Sequence, residues 1–315
     1  MSKPVIKPAA DFQESALPQL PGKHDEIEIK ANVGTLAQLS KIREELLHVF
    51  AGDPSVLTFW ENNPKPFYLP RDRSKPGLIQ SHAMSVYLDT RDFALFHTDV
   101  SLRLRLTPHL SNYFEWGVKG KSRGFDGPGS AIRHEDEVVS RSLYLPADLM
   151  SDPVTRDMLQ PMKKRSLYYQ FCTNVERSMI GIPVLTSEGK NAFFEVCFDP
   201  INYEAPDAGQ NRKLGQDYMN LDVSRFYHLN QIEIEYFNPL NEDPHMAALA
   251  QDLKLDVLTL PEIDQTMNRV REIIKHIAQV QKIPLDMTDI SKGHVGFEKM
   301  PNGPYSHDGM APSPN

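Results

Sequence analysis

The sequence predicts an α+β fold that is mainly β, an antiparallel barrel or sandwich flanked by helices. Three observations carry this. Eight segments alternate in hydropathy or are rich in β-formers: 24–31, 82–90, 100–107, 112–120, 131–139, 167–179, 191–199 and 229–237. Helical periodicity is confined to four stretches. The 315 residues are 40% hydrophobic and 24% charged, a balance that supports a packed core rather than a disordered chain.

Taken in order, residues 1–23 carry four prolines and little periodicity and read as a flexible tail. The first strand follows. "GTLAQLSKIREELLHVFAG" then places Leu36, Leu39, Ile42, Leu46 and Phe50 near helical spacing, with Thr35 as N-cap and Gly52 near the end. Residues 61–80 hold four prolines and read as a long loop before the second strand. "PADLMSDPVTRDMLQPM" reads as short helical turns broken by Pro153 and Pro161, and 204–227 as a second long loop. "MAALAQDLKL" and "LPEIDQTMNRVREIIKHIAQVQK" are C-terminal helices. The second of these puts Ile263, Met267, Val270, Ile273 and Ile274 on one face, as a core-packing helix does. Residues 291–315 read as a flexible C-terminal tail, which makes 24–290 a single domain.

Composition excludes several classes. No apolar run approaches the roughly 20 residues of a membrane span, and the N-terminal stretch lacks the apolar core of a signal peptide. Cys172 and Cys197 make no disulfide framework or metal-ligand spacing. A cytoplasmic protein is therefore expected. The net charge of −8 argues against broad nucleic-acid binding. "GKS" at 120–122 is not a phosphate loop, because Glu115 stands where that motif needs glycine. His82, His97, His109 and His134 are scattered and read as surface or packing residues.

The charges fall in a pattern. In "DEIEIK" Glu26, Glu28 and Lys30 share one strand face, with Ile27 and Ile29 on the other. Arg103 and Arg105 alternate with Leu102, Leu104 and Leu106. Lys119 and Lys121 are in phase, as are Arg133, Glu135 and Glu137. Glu195 and Asp199 share a phase with Cys197, Glu233 and Glu235 oppose Ile232 and Ile234, and Arg177 sits late in its strand. A solvated sheet face alternates too, but it does not ordinarily carry paired carboxylates and paired arginines. Like charges two residues apart repel unless something of opposite sign lies between them. A divalent cation would serve between carboxylates, and a polyanion between arginines. Closing the strands into a barrel with this phase inward gives a lumen too charged to be dry. Phosphoryl transfer from a polyphosphate is the chemistry that uses both signs at once.

The ordered series E-x-E-x-K, R-x-R, a strand lysine, R-x-E-x-E, a later arginine, an aspartate and a closing E-x-E resembles the CYTH superfamily, the triphosphate tunnel metalloenzymes. The resemblance covers about residues 24–240. It implies an eight-stranded antiparallel tunnel barrel with flanking and C-terminal helices. It also implies triphosphate bound by Lys30, Arg103, Arg105, Lys119, Arg133 and Arg177, with Lys121 an alternative to Lys119. It implies Mg²⁺ or Mn²⁺ held among Glu26, Glu28, Glu135, Glu137, Asp199, Glu233 and Glu235, with Glu195 a less certain neighbour of Asp199. Glu28, Lys30 and Glu235 are the expected catalytic residues. The expected activity is metal-dependent hydrolysis of inorganic triphosphate or of an organic one such as thiamine triphosphate. A class IV-type adenylate cyclase, which would form cyclic AMP and pyrophosphate, shares these charges, and a non-catalytic polyphosphate- or nucleotide-binding module would share many of them. The expected partner is a small-molecule triphosphate, not nucleic acid or membrane. The sequence departs from the family in the length of the 61–80 and 204–227 loops, which lie where a tunnel mouth could be altered.

Overall fold

In the computed structural model, the described residues are 20–51, 78–106, 114–123, 129–207, 210, 212–214, 221–241, 244–301 and 303–304. The proposed N-terminal tail up to 19, most of the 61–80 loop and His109 lie outside them. Nine strands form one antiparallel sheet: β1 (Asp25–Val33), β2 (Leu78–Asp89), β3 (Ser101–Leu106), β4 (Phe114–Lys119), β5 (Ser130–Ser140), β6 (Tyr168–Leu185), β7 (Asn191–Pro206), β8 (Val223–Tyr236) and β9 (Leu285–Thr288). Their order is β5-β4-β3-β2-β6-β7-β8-β1-β9, and β1 also pairs with β5. That pairing closes the first eight strands into a barrel, which removes the open edges of the sheet.

The seam has a sequence cause. β1 pairs with β5 over Asp25–Ile29 and with β9 over Lys30–Val33, both along the same edge. The change of partner falls at Gly129, whose φ is +80° and whose carbonyl accepts from the Lys30 N–H at 3.0 Å. A Cβ there would stand 2.6 Å from the Lys30 carbonyl oxygen, so only glycine lets β5 leave β1 at this point.

Period-2 alternation sends each strand's apolar phase outward to a covering layer. Ile27, Ile29, Val196, Phe198, Ile232 and Ile234 pack under α1 (Leu36–Ala51) and α4 (Leu260–Val280). Thr35 and Gln38 exchange capping hydrogen bonds at the start of α1, and Leu39, Ile42, Leu46 and Phe50 are its buried stripe, whereas Leu36, expected with them, stands exposed in the first turn. α4 starts from a capping box between Thr259 and Glu262 and buries Ile263, Met267, Val270, Ile274 and Ile277. On the other side of the barrel, Val86, Leu88, Leu102, Leu104, Trp116 and Val118 are covered by Leu149 and Leu159 from the connection between β5 and β6. That connection holds α2 (Pro153–Met158). Pro153 opens this helix behind the Asp152 cap rather than breaking it. A short helix, α3 (Pro244–Asp252), precedes α4.

Three expectations change. The 204–227 loop is shorter, because β7 runs to Pro206 and β8 begins at Val223. β9 has no counterpart among the eight predicted strands. The stretch from 291, expected as a tail, forms α5 (Lys292–Lys299), with Val295 and Phe297 buried. α5 enters one end of the barrel, where Phe297 and Val295 cluster with Tyr87, Phe171, Ile201, Tyr203 and Leu229. These strand residues share the phase of the charged positions, so they face the lumen. Gly296 sits against the Phe171 ring, where a side chain would collide. One end of the barrel is thus plugged with aromatic packing, and the charged positions occupy the rest. Among the described residues no helix is long and apolar enough to cross a membrane.

Candidate functional site

The inward phase lines a cavity of about 360 Å³. All strands of the barrel contribute, and the register sets which charges meet. Arg177 on β6 donates to both oxygens of Asp199 on β7, at 2.9 and 2.6 Å, and to Glu233 on β8 at 2.7 Å. Lys30 is the register partner of Glu233 and lies 3.6 Å from it. Its ammonium also pairs with Glu28, as does the Arg133 guanidinium. Lys119 pairs with Glu26 and lies 3.4 Å from Glu28. Arg103 joins Glu135 at 2.7 Å and Glu137, and Arg105 joins Glu115 at 2.5 Å and Glu137 at 3.6 Å. Every triphosphate-binding and metal candidate therefore lies in one lumen or in contact with it.

The carboxylates divide into two kinds. Burial pushes Glu28 up, but Lys119, Lys30 and Arg133 outweigh it and hold the carboxyl at about 2. Burial likewise opposes ionisation of Glu233, and Lys292, Lys30 and Arg177 hold it well below the usual carboxylate range. Glu26 goes the other way. Burial, then Glu135 and Glu28, push it up to about 8 against Lys119 and Lys30. Burial, Glu26 and Glu195 raise Glu235 well above its ordinary value. The register accounts for the Glu195 part, since Glu235 is directly opposite it on β7; Glu235 also faces Glu28 on β1, which places three carboxylates in a row across adjacent strands. Like charges opposed in this way are destabilising.

That row is what a divalent cation would relieve, and its all-oxygen donor set suits a hard ion such as Mg²⁺ or Mn²⁺. Among the described residues, however, no three His, Cys, Asp or Glu side chains already converge to hold a metal ion. Glu28 and Glu233 are turned toward cations, and Glu26 toward Lys119. The donor chemistry fits, and the carboxylates are in place on neighbouring strands without meeting at one point.

Of Lys119 and Lys121, only Lys119 faces the lumen. β4 ends at Lys119, and the Lys121 side chain is 74% exposed beside Asp99, outside the charged lumen. The structure also adds residues absent from the sequence-predicted set. Lys292, at the start of α5, reaches 3.0 Å from Asp199 and 2.5 Å from Glu233. Burial would lower its pKa, but Glu233 and Asp199 raise it. No strand periodicity could have flagged it, because it arrives on a helix distant in sequence. Glu115 could have been found, since it is in phase with Lys119 in "FEWGVK". Glu195 belongs to the acidic row by register rather than to Asp199, which Arg177 and Lys292 already engage.

Fold and site together define a closed eight-stranded antiparallel barrel with helices on its outside, one plugged end and a lumen in which both signs of charge alternate. No protein-family model matches the chain, and no curated protein matches it. Solved structures do resemble it at low identity. HpAC1 from Hippeastrum, named for adenylyl cyclase and described with a dominant triphosphatase activity, is 14% identical over 86% of this chain and 94% of its own, with a TM-score of 0.42. The PH1819 protein from Pyrococcus horikoshii OT3 is 13% identical over 87% and 99%, with a TM-score of 0.40. The Mimivirus capping enzyme triphosphatase is 10% identical over 81% and 91%, with a TM-score of 0.37.

Proposed function

We propose that this protein is a metal-dependent triphosphatase that hydrolyses a linear triphosphate inside the barrel. The observation that supports the proposal is one lumen whose strands interleave cations with a row of facing carboxylates, Glu195, Glu235 and Glu28, held in register by the same closed sheet. A lumen that only captured anions would gain nothing from Glu26, Glu28, Glu195 and Glu235 lying on three neighbouring strands, since carboxylates repel the ligand.

In this reading Arg103, Arg105, Lys119, Arg133 and Arg177, with Lys30, contact the phosphate oxygens and take up the charge that develops on the transferred group. The carboxylates paired to these cations are exchanged for phosphate when substrate enters. Glu26, Glu28 and Glu235, with Glu135 and Glu195 nearby, would hold Mg²⁺ or Mn²⁺. Glu137, Asp199 and Glu233 then act mainly as counter-ions that position Arg103, Arg177, Lys30 and Lys292. A cation held there would supply charge neutralisation on the triphosphate and a lower pKa for the attacking water. Glu28 and Glu235, opposite each other on β1 and β8, orient that water, and Glu235, the more basic of the two, accepts its proton. The water oxygen bonds to the terminal phosphorus as the bridging P–O bond breaks, so that the diphosphate leaves with the bridging oxygen and the attacked group becomes orthophosphate.

The deciding experiment is product analysis of the purified protein with inorganic triphosphate, thiamine triphosphate and ATP, each with Mg²⁺, Mn²⁺ or EDTA. Metal-dependent orthophosphate release is expected, and the best substrate identifies the physiological class. Cyclic AMP with pyrophosphate from ATP would replace hydrolysis by cyclisation. Folded protein that binds triphosphate and yields no product would reduce the tunnel to a binding module.

A further inference from the structure

The inward phase of β4 reads Glu115, Gly117 and Lys119. The outer two carry charges that line the lumen, and the middle one has no side chain. A glycine inside a strand weakens it, through lost backbone entropy and an unfilled position. The backbone does not require it here, because φ at Gly117 is not positive. Space does require it. A Cβ at Gly117 would stand 2.9 Å from Arg103 Nε, 3.2 Å from its Cγ and 3.6 Å from its Cδ. Gly117 is buried and faces inward, yet it does not line the cavity; Arg103, lying over it, does.

The register explains the course that Arg103 takes. Arg105 has an acid directly opposite on β4, Glu115, and pairs with it at 2.5 Å. Arg103 is opposite Gly117, and Gly117 is in turn opposite Glu137 on β5. Arg103 therefore crosses β4 to reach β5, where its Nη2 donates to Glu135 at 2.7 Å and to Glu137. A side chain at 117 would stand in that path and lift the arginine toward the space that the phosphates occupy in the proposed reading. The three nearest atoms it would meet all belong to one flexible side chain and none to backbone, so the arginine would yield and the sheet would not.

We infer that Gly117 is a positioning residue for Arg103. Its missing side chain is a notch that lets the guanidinium lie against β4 beside Glu135 and Glu137, and so sets how far the arginine stands into the lumen. The consequence for binding rests on the reading of the lumen as the triphosphate site.

The test is a double-mutant cycle on the full chain, read as calorimetric Kd for inorganic triphosphate in EDTA. Arg103→Gln should weaken binding by about tenfold, the scale of one charge-assisted contact. Gly117→Ala should weaken it by a similar factor, and Gly117→Val by more. In the Arg103→Gln background Gly117→Ala should add less than about twofold, because the residue it acts through is gone. The thermal midpoint of Gly117→Ala should stay within about 4 °C of wild type. Unchanged binding in Gly117→Ala, an equal loss in both backgrounds, or a loss matched by a larger fall in thermal midpoint would overturn the inference. The NMR resonance of Arg103 Nε–Hε, assigned by its absence in Arg103→Gln, gives a readout without ligand. It should shift in Gly117→Ala and stay in place in Met267→Ala, and an unmoved resonance in Gly117→Ala would also overturn the notch. If wild-type protein binds no triphosphate and that resonance still shifts, the notch stands and the triphosphatase reading fails.

Discussion

The two faces of β1 are equally buried and chemically opposite. Ile27 and Ile29 on the outer face are 0 and 1% exposed, and Glu28 and Lys30 on the inner face are each 1% exposed. The outer pair lies in a dry cluster with α1 and α4. The inner pair is buried only because each charge meets another: Lys30 meets Glu28 and Glu233, and Glu28 meets Arg133 and Lys119. Burial alone therefore says nothing about role. What separates the faces is that the outer one is held by apolar contact, whereas the inner one sets carboxylates directly opposite one another at Glu28, Glu235 and Glu195. In the proposed reading the outer face serves stability alone and the inner face serves function as well, and substitutions should separate the two.

The largest effect should come from removing the ion. Chelation with EDTA should lower phosphate release by about 10³-fold or more, with recovery on adding Mg²⁺ or Mn²⁺. Activity that persists in EDTA would erase the distinction just drawn, since the acidic row would then have no task. Glu28→Gln should affect both faces at once. It leaves Lys30 and Arg133 short of a partner, so unfolding in urea should show a loss of about 3–5 kcal/mol, together with loss of turnover. Met267→Ala, in the outer cluster, should cost about 2–5 kcal/mol and leave turnover per folded molecule near wild type. A large fall in kcat there would mean that the faces are coupled.

Glu26→Gln sharpens the comparison within the lumen. Glu26 sits among other acids, so its neutral analogue should raise metal-free stability by about 1 kcal/mol at neutral pH while weakening the metal dependence of activity. A destabilised variant would show that the Lys119 contact outweighs the acidic neighbours. The smallest effect is expected at the α4 cap. Thr259→Ala should cost about 1 kcal/mol in thermal unfolding. Burial would raise Glu262, but Lys190 and the Thr259 N–H and hydroxyl hold it at about 2. A depressed carboxyl stabilises above its ordinary pKa of 4.5 and loses that contribution as pH falls toward 2. The gap between wild type and Thr259→Ala should narrow across that window, and a gap independent of pH would remove Glu262 from the cap.

Much of this was legible in one dimension. A period of two is a local property, so the alternation in "DEIEIK", "SLRLRL" and "QIEIEY" identifies the strands and assigns each side chain to a face without knowledge of its neighbours. The Thr35 end of α1 was readable for the same reason, because a cap and its partner lie three residues apart. β9 and α5 were not readable. Each is short and weakly periodic, and each is held by contacts with residues far away in sequence, β9 by β1 and α5 by the aromatic end of the lumen.

The sequence by itself determined which residues carry charge, which strand face each occupies and the order in which the strands follow. The tertiary structure alone decided which charges meet. Register across strands set Glu235 between Glu195 and Glu28, set Lys30 against Glu233, and brought Lys292 from a distant helix to Asp199. Alternation is imposed by the geometry of a single chain. Electrostatic pairing depends on distances between strands, and those exist only once the barrel has closed.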